Sequence, residues 1–182
     1  NHKQIHVFVV ADGMGGVQGG KVASEMAVEL LASKIKAILS LSEDILRTLI
    51  LDIHKQIYNR SLSDSNLSGM GTTLVGLAFD GAKVYFFNVG DSRLYLVRDS
   101  QIRQLTSDHT VVNELLSSGA ITQDQARNHP VSHMLTRSLG ASAELVVDCF
   151  EMTDKPGLGD QFILCSDGLH GMLDKQALLD LR

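Results

Sequence analysis

The sequence predicts a single α+β domain dominated by antiparallel sheet. Four short β-type runs between residues 72 and 105 follow one another with no helical stretch between them. Two long amphipathic patterns lie upstream, where they can cover one face of such a sheet. The chain has 182 residues and 44% hydrophobic side chains, which is enough for one sizeable core and too apolar for disorder.

Ile5 to Ala11 (IHVFVVA) is a short β-branched run, the pattern of a buried strand. After a glycine-rich stretch, Ala23, Met26, Ala27, Leu30, Leu31, Ile35 and Ile38 recur at helical spacing. Ser42 caps a second helix, with Glu43 and Asp44 in its first turn and Leu46, Leu49, Ile50, Ile53 and Ile57 as its buried stripe. Ser61 to Gly69 reads as a loop. Thr72 to Phe79, Lys83 to Asn88, Leu94 to Val97 and Ile102 to Leu105 form the predicted meander, with Asp80-Gly81 turning the first pair. Short helices and a loop occupy 109 to 131, punctuated by Gly119 and Pro130. Leu145 to Met152 and Gln161 to Cys165 read as two further strands, and Asp174 opens a last helix.

Composition excludes several classes of function. Sixteen basic against 21 acidic residues give a net charge of −5, which opposes nucleic acid and anionic membrane surfaces as partners. No apolar run approaches the roughly 20 residues needed to span a bilayer. Cys149 and Cys165 read as buried free thiols of a reducing compartment, so the cytoplasm is the expected location.

Chemistry concentrates where strands end. Asp12 in VVADGMGG and Asp167 in FILCSDG each close an apolar strand and precede a glycine; Asp91 in NVGDSR follows a strand and a glycine. Such carboxylates project from a rigid sheet into a loop whose backbone can approach a ligand, and hard divalent cations bind oxygen there. Taken singly, an Asp-Gly pair is an ordinary turn. A GxGxxG fingerprint starting at Gly13 fails at Gln18. Gly15 to Lys21 does match GxxxxGK, but Val22 stands where Ser or Thr should reach magnesium. Neither cysteine begins a phosphatase loop, because Gly171 and Lys155 occupy the positions that require arginine. Ser107-Asp108-His109 are sequence neighbours, which do not readily form a triad.

Seven ordered segments nevertheless resemble one family, the metal-dependent serine/threonine phosphatases of the protein phosphatase 2C (PP2C) type, particularly its bacterial branch. They are VVADGMGG (9–16), GGKVAS (19–24), GMGTTL (69–74), NVGDSRLYL (88–96), LTSDHT (105–110), Asn113 through SGAIT, ARNHP and LTRSLG (135–140), and LCSDGL (164–169). The resemblance implies a four-layer αββα sandwich holding two manganese or magnesium ions, with a weaker third. Asp12 matches the carboxylate that bridges the ions, the Gly13 carbonyl a ligand of one, Asp167 a ligand of the other, and Asp91 the aspartate of the third. A water activated between the ions would attack phosphoserine or phosphothreonine phosphorus, so that Asp12 and Asp167 act through it. Phosphorylated proteins, the products of a cognate serine/threonine kinase, are the implied partners.

His109, Asn113 and Arg137 fall in or beside the segment similar to the family's flap at the substrate groove; local hydrogen bonding is an equal reading of each. Met14 stands where many eukaryotic relatives carry a histidine proposed as general acid. Thr72 and Thr73 read as strand formers. His2, His6, His54, His129, His133 and His170 show no metal-ligand spacing with cysteine and receive no role. The family's upstream phosphate-gripping Arg and its downstream Asp-Asn pair have no counterpart here. Residues 1–182 are therefore expected to be one catalytic domain incomplete at both ends. That leaves open a catalytically impaired binding module of the same fold and, further off, a P-loop nucleotidase.

Overall fold

The computed structural model describes residues 4–127 and 129–180. In chain order its elements are β1 (Ile5–Val10), β2 (Gly13–Met14), α1 (Gly16–Lys34), α2 (Glu43–Ser63), β3 (Gly71–Thr72), β4 (Leu74–Asp80), β5 (Lys83–Val89), β6 (Arg93–Arg98), β7 (Gln101–Gln104), α3 (Val111–Ser117), α4 (Gln123–Arg127), β8 (Asp148–Glu151), β9 (Gln161–Cys165), α5 (Asp167–His170) and α6 (Lys175–Leu179).

The second helix begins as expected. Ser42 is extended and its hydroxyl accepts from the Ile45 N–H at 3.2 Å, which satisfies one of the free donors of the first turn. Leu46, Ile50, Ile53 and Ile57 are fully buried, each contributing roughly 1.5–3 kcal/mol. The helix runs on to Ser63, into the predicted loop. The Ser61 hydroxyl bonds back to the Tyr58 carbonyl, and Arg60 pairs with Asp64, so these polar residues continue the last turn.

Two larger antiparallel sheets are formed, one in the order β1-β4-β5-β8 and the other β7-β6-β9, and the short strands β2 and β3 pair with each other as a separate antiparallel ribbon. The predicted single meander is thus divided: hairpin β4–β5 belongs to one sheet and hairpin β6–β7 to the other. Gly90, at φ 102°, turns the chain from the first sheet to the second. A Cβ there would lie 2.6 Å from the Thr73 Cγ2, so glycine is required by conformation and by space. The strand expected over Leu145–Met152 is shortened to Asp148–Glu151. Its ladder pairs Asp148 with Asn88, and beyond that point β5 departs toward Gly90.

Alternation along the strands separates three apolar layers. On β4, Leu74 and Ala78 face α1 and α2, while Val75 and Leu77 face the second sheet. Tyr85 and Phe87 of β5 point to the helices; Val84 and Phe86 point to Leu94, Phe162 and Leu164. On the far side of the second sheet, Tyr95 and Cys165 meet Leu169, Leu173 and Leu178 from α5 and α6 and the turn between them. Helices, sheet, sheet and helices are stacked in the αββα order that the resemblance implies. Cys149 and Cys165 are free and buried, as expected. Among the described residues no helix is long and apolar enough to cross a membrane.

Candidate metal centre

The three strand-end aspartates arrive from different parts of the sandwich: Asp12 after β1, Asp91 after β5 and Asp167 after β9. The Asp167 carboxylate lies close enough to Asp12 to perturb it. Burial raises the Asp12 pKa first and the Asp167 charge raises it further, while the Ser166 hydroxyl lowers it. Asp91 is pushed up to about 6, again by burial foremost and then by Asp167 and Asp108. Like charges are here held together by the fold, an arrangement that a divalent cation relieves.

The peptide of Asp12 is fixed on both sides. Its N–H donates to Thr73 Oγ1 at 2.9 Å; its carbonyl accepts from the Thr73 N–H at 2.8 Å and the Thr72 hydroxyl at 2.9 Å. Thr73 Oγ1 in turn meets Ser92 Oγ at 2.7 Å, next to Asp91. These threonines, expected only to start a strand, hold the Asp12 and Asp91 loops together. Nothing in their spacing distinguishes hydroxyls that orient a backbone from β-branched residues that fill a sheet.

Gly13 packs against α1 backbone to backbone, since a Cβ at Gly13 would lie 2.0 Å from the Gly20 carbonyl oxygen. The glycine-rich stretch serves this close approach. Residues 16–21 are the first turns of α1, not an open phosphate loop, and β1 pairs antiparallel with β4. Both facts remove the P-loop reading.

A cavity of about 370 Å³ opens over Asp12, Gly13, Thr73, Asp91 and Asp167. It adjoins a polar cleft of about 740 Å³, which shares Asp91 and Asp167 and is walled by Asp108, Asn113 and His170. Of the three flap-side residues, only Asn113 lines this cleft, with its amide donating to the Asp108 carbonyl at 2.7 Å. His109 is 5% exposed. Its Nδ1 accepts from the Gly90 N–H at 3.1 Å, so the proton sits on Nε2 and points to Asp148 Oδ2 at 3.2 Å. Burial holds the ring below the usual histidine pKa, which leaves it neutral beside Asp148. The 3.3 Å approach of Arg137 Nη1 to that same Nε2 sets donor against donor; Arg137 is held instead by Asp148 Oδ1 at 3.0 Å. Arg137 lines a separate cavity with Ser142 and Glu144.

Among the described residues, no three His, Cys, Asp or Glu side chains are arranged to hold one ion between them. The available donors are the Asp12 and Asp167 carboxylates, the Gly13 carbonyl and Asp91. All are hard oxygens, the donor type that would suit a divalent cation such as magnesium or manganese.

The sequence pattern of the protein phosphatase 2C family matches residues 1–181. The serine/threonine phosphatase stp of Listeria welshimeri is 43% identical over 180 residues, covering 96% of this chain and 71% of its own length. The solved structure of the serine/threonine phosphatase Stp1 from Staphylococcus aureus superimposes with a TM-score of 0.85 at 34% identity, covering 96% of this chain and 70% of that one. A catalytic domain of the phosphatase PstP, solved in complex with two manganese ions, superimposes with a TM-score of 0.83 at 29% identity, covering 99% and 77%. This chain belongs to the protein phosphatase 2C family.

Proposed function

We propose that this chain removes phosphate from phosphoserine and phosphothreonine in proteins with the help of divalent cations held at Asp12, Gly13 and Asp167. The reading rests on the convergence of Asp12 and Asp167 from two strand ends onto one cavity, with Asp91 at its side. Two manganese or magnesium ions are the proposed complement, with Asp91 serving a weaker third. When bound, such cations neutralise phosphate charge and lower the pKa of coordinated water.

The protein's own residues do the positioning. Thr72 and Thr73 fix the Asp12 peptide, and Gly13 packs backbone to backbone on Gly20 of α1 at the edge of the cavity. Asp167 stands at the exposed start of α5, open to the same cavity. The net charge of −5 does not oppose an anionic substrate once cations offset these carboxylates. Met14, beside Asp12 in the cavity, has no proton to give the leaving oxygen.

Substrates of a cognate serine/threonine kinase are the proposed partners, and two buried free thiols support a reducing, cytoplasmic setting. A non-catalytic module of the same fold is the competing reading. Phosphate release from phosphoserine and phosphothreonine peptides in manganese, in EDTA, and after manganese is restored separates the two. Release that stops in EDTA and returns with manganese supports the phosphatase, whereas no release with manganese supports the module.

A further inference from the structure

The short helix α5 does two things within one turn. Asp167 begins it, and His170 ends it with Nε2 3.0 Å from the Asp91 carbonyl oxygen. The acceptor is a carbonyl, so Nε2 carries the proton and the contact is a donated hydrogen bond. On the opposite side, the Gly90 N–H donates to His109 Nδ1, while the Gly90 carbonyl accepts from the His109 N–H at 3.0 Å and from Asn88 Nδ2 at 3.1 Å. Every polar group of the Gly90 peptide and the carbonyl of Asp91 are thereby bound, while Asp91 lines both the cavity and the cleft. His109, Asn88 and the core behind them form the fixed wall. His170 is the only one of these contacts that comes from the element bearing Asp167.

We infer that His170 is a positioning residue, a strut that sets the separation between Asp91 and Asp167 and so determines how tightly a cation is held at Asp91. His170 does not touch the cation. It acts through the Asp91 backbone, as groups outside the ligand shell do when they orient a ligand. The inference rests on the reading of Asp91 as the ligand of a weaker third cation and assigns to that ligand its support.

The test is manganese binding to the full chain, followed by electron paramagnetic resonance of free manganese and by calorimetry, for wild type, Asp91→Asn, His170→Ala and His170→Gln. Thermal unfolding without cation checks each variant's fold. Asp91→Asn is expected to remove the weakest binding event. His170→Ala is expected to weaken that same event about 10-fold or more and leave tighter binding unchanged. His170→Gln, whose amide can donate from the same place, is expected to restore it. If Asp91→Asn removes the weak event and His170→Ala does not shift it, the strut is wrong and the ligand reading stands. If Asp91→Asn changes no event, both fall together. A His170→Ala loss spread equally over all events also overturns the strut, because it marks a general loss of structure.

Discussion

The hydroxyls of Thr73 and Ser92 meet at 2.7 Å in the interior, joining the residue that holds the Asp12 peptide to the neighbour of Asp91. Thr73→Val keeps the shape and removes the hydroxyl, which leaves the Asp12 N–H and the Ser92 hydroxyl without this partner. A loss of about 1–3 kcal/mol is expected in urea unfolding, together with weaker manganese binding. Thr73→Ser is expected to retain both. Unchanged manganese affinity in Thr73→Val would show that the hydroxyl supports the fold and not the site.

Gly90 gives a second prediction. Ala at this position combines a φ of 102° with a Cβ 2.6 Å from the Thr73 Cγ2, so Gly90→Ala displaces the link just described. Gly119, at φ 73° with open space around its Cβ, is the control for conformation alone. Gly119→Ala is expected to cost about 1–2 kcal/mol and Gly90→Ala clearly more, read from thermal midpoints. Equal losses would mean that the Thr73 contact yields freely.

His54 makes stability depend on pH. It is 1% exposed in α2, its Nδ1 accepts from the Gly140 N–H at 3.0 Å, and burial holds its pKa below the ordinary 6.5. Lys55 lowers the pKa further and the Ala143 backbone raises it, while the Tyr58 ring stacks at 6.3 Å. The folded state therefore binds fewer protons than the unfolded chain. Its stabilising effect is complete above pH 6.5 and is lost as pH falls toward the lowered folded value. His54→Asn, which can still accept from Gly140, is expected to flatten the fall in thermal midpoint between about pH 7 and about pH 5 relative to wild type. Parallel profiles would assign that fall to other groups, His109 and His170 among them.

Much of the fold was legible because burial and periodicity coincide. The Leu46, Ile50, Ile53, Ile57 stripe and the alternation in β4 and β5 are direct records of what each face touches. The division into two sheets was not legible from strand patterns, because β5 and β6 look alike on either side of the Gly90 turn. Motif resemblance supplied the stacked arrangement instead. At the site, Asp12, Asp91 and Asp167 stand out as carboxylates at strand ends. The groups around them do not: Thr72, Thr73 and His170 bond backbone atoms and Ser92 bonds the Thr73 hydroxyl, and such contacts leave no periodic trace. His109 and Arg137 lie in segments similar to the flap, but the bond of His109 to the Gly90 N–H and that of Arg137 to Asp148 at the start of β8 depend on three-dimensional proximity.

The proposed catalysis depends on the pairing of Asp12 with Asp167, and phosphate release from a phosphothreonine peptide at saturating manganese tests it most directly. Asp12→Asn removes the charge while retaining the Thr72 and Thr73 contacts, which involve only backbone atoms of residue 12. The expected result is a kcat lower by about 1,000-fold or more, with the cation-free thermal midpoint preserved or raised, since the variant relieves repulsion with Asp167. Turnover within a few-fold of wild type in Asp12→Asn would contradict it.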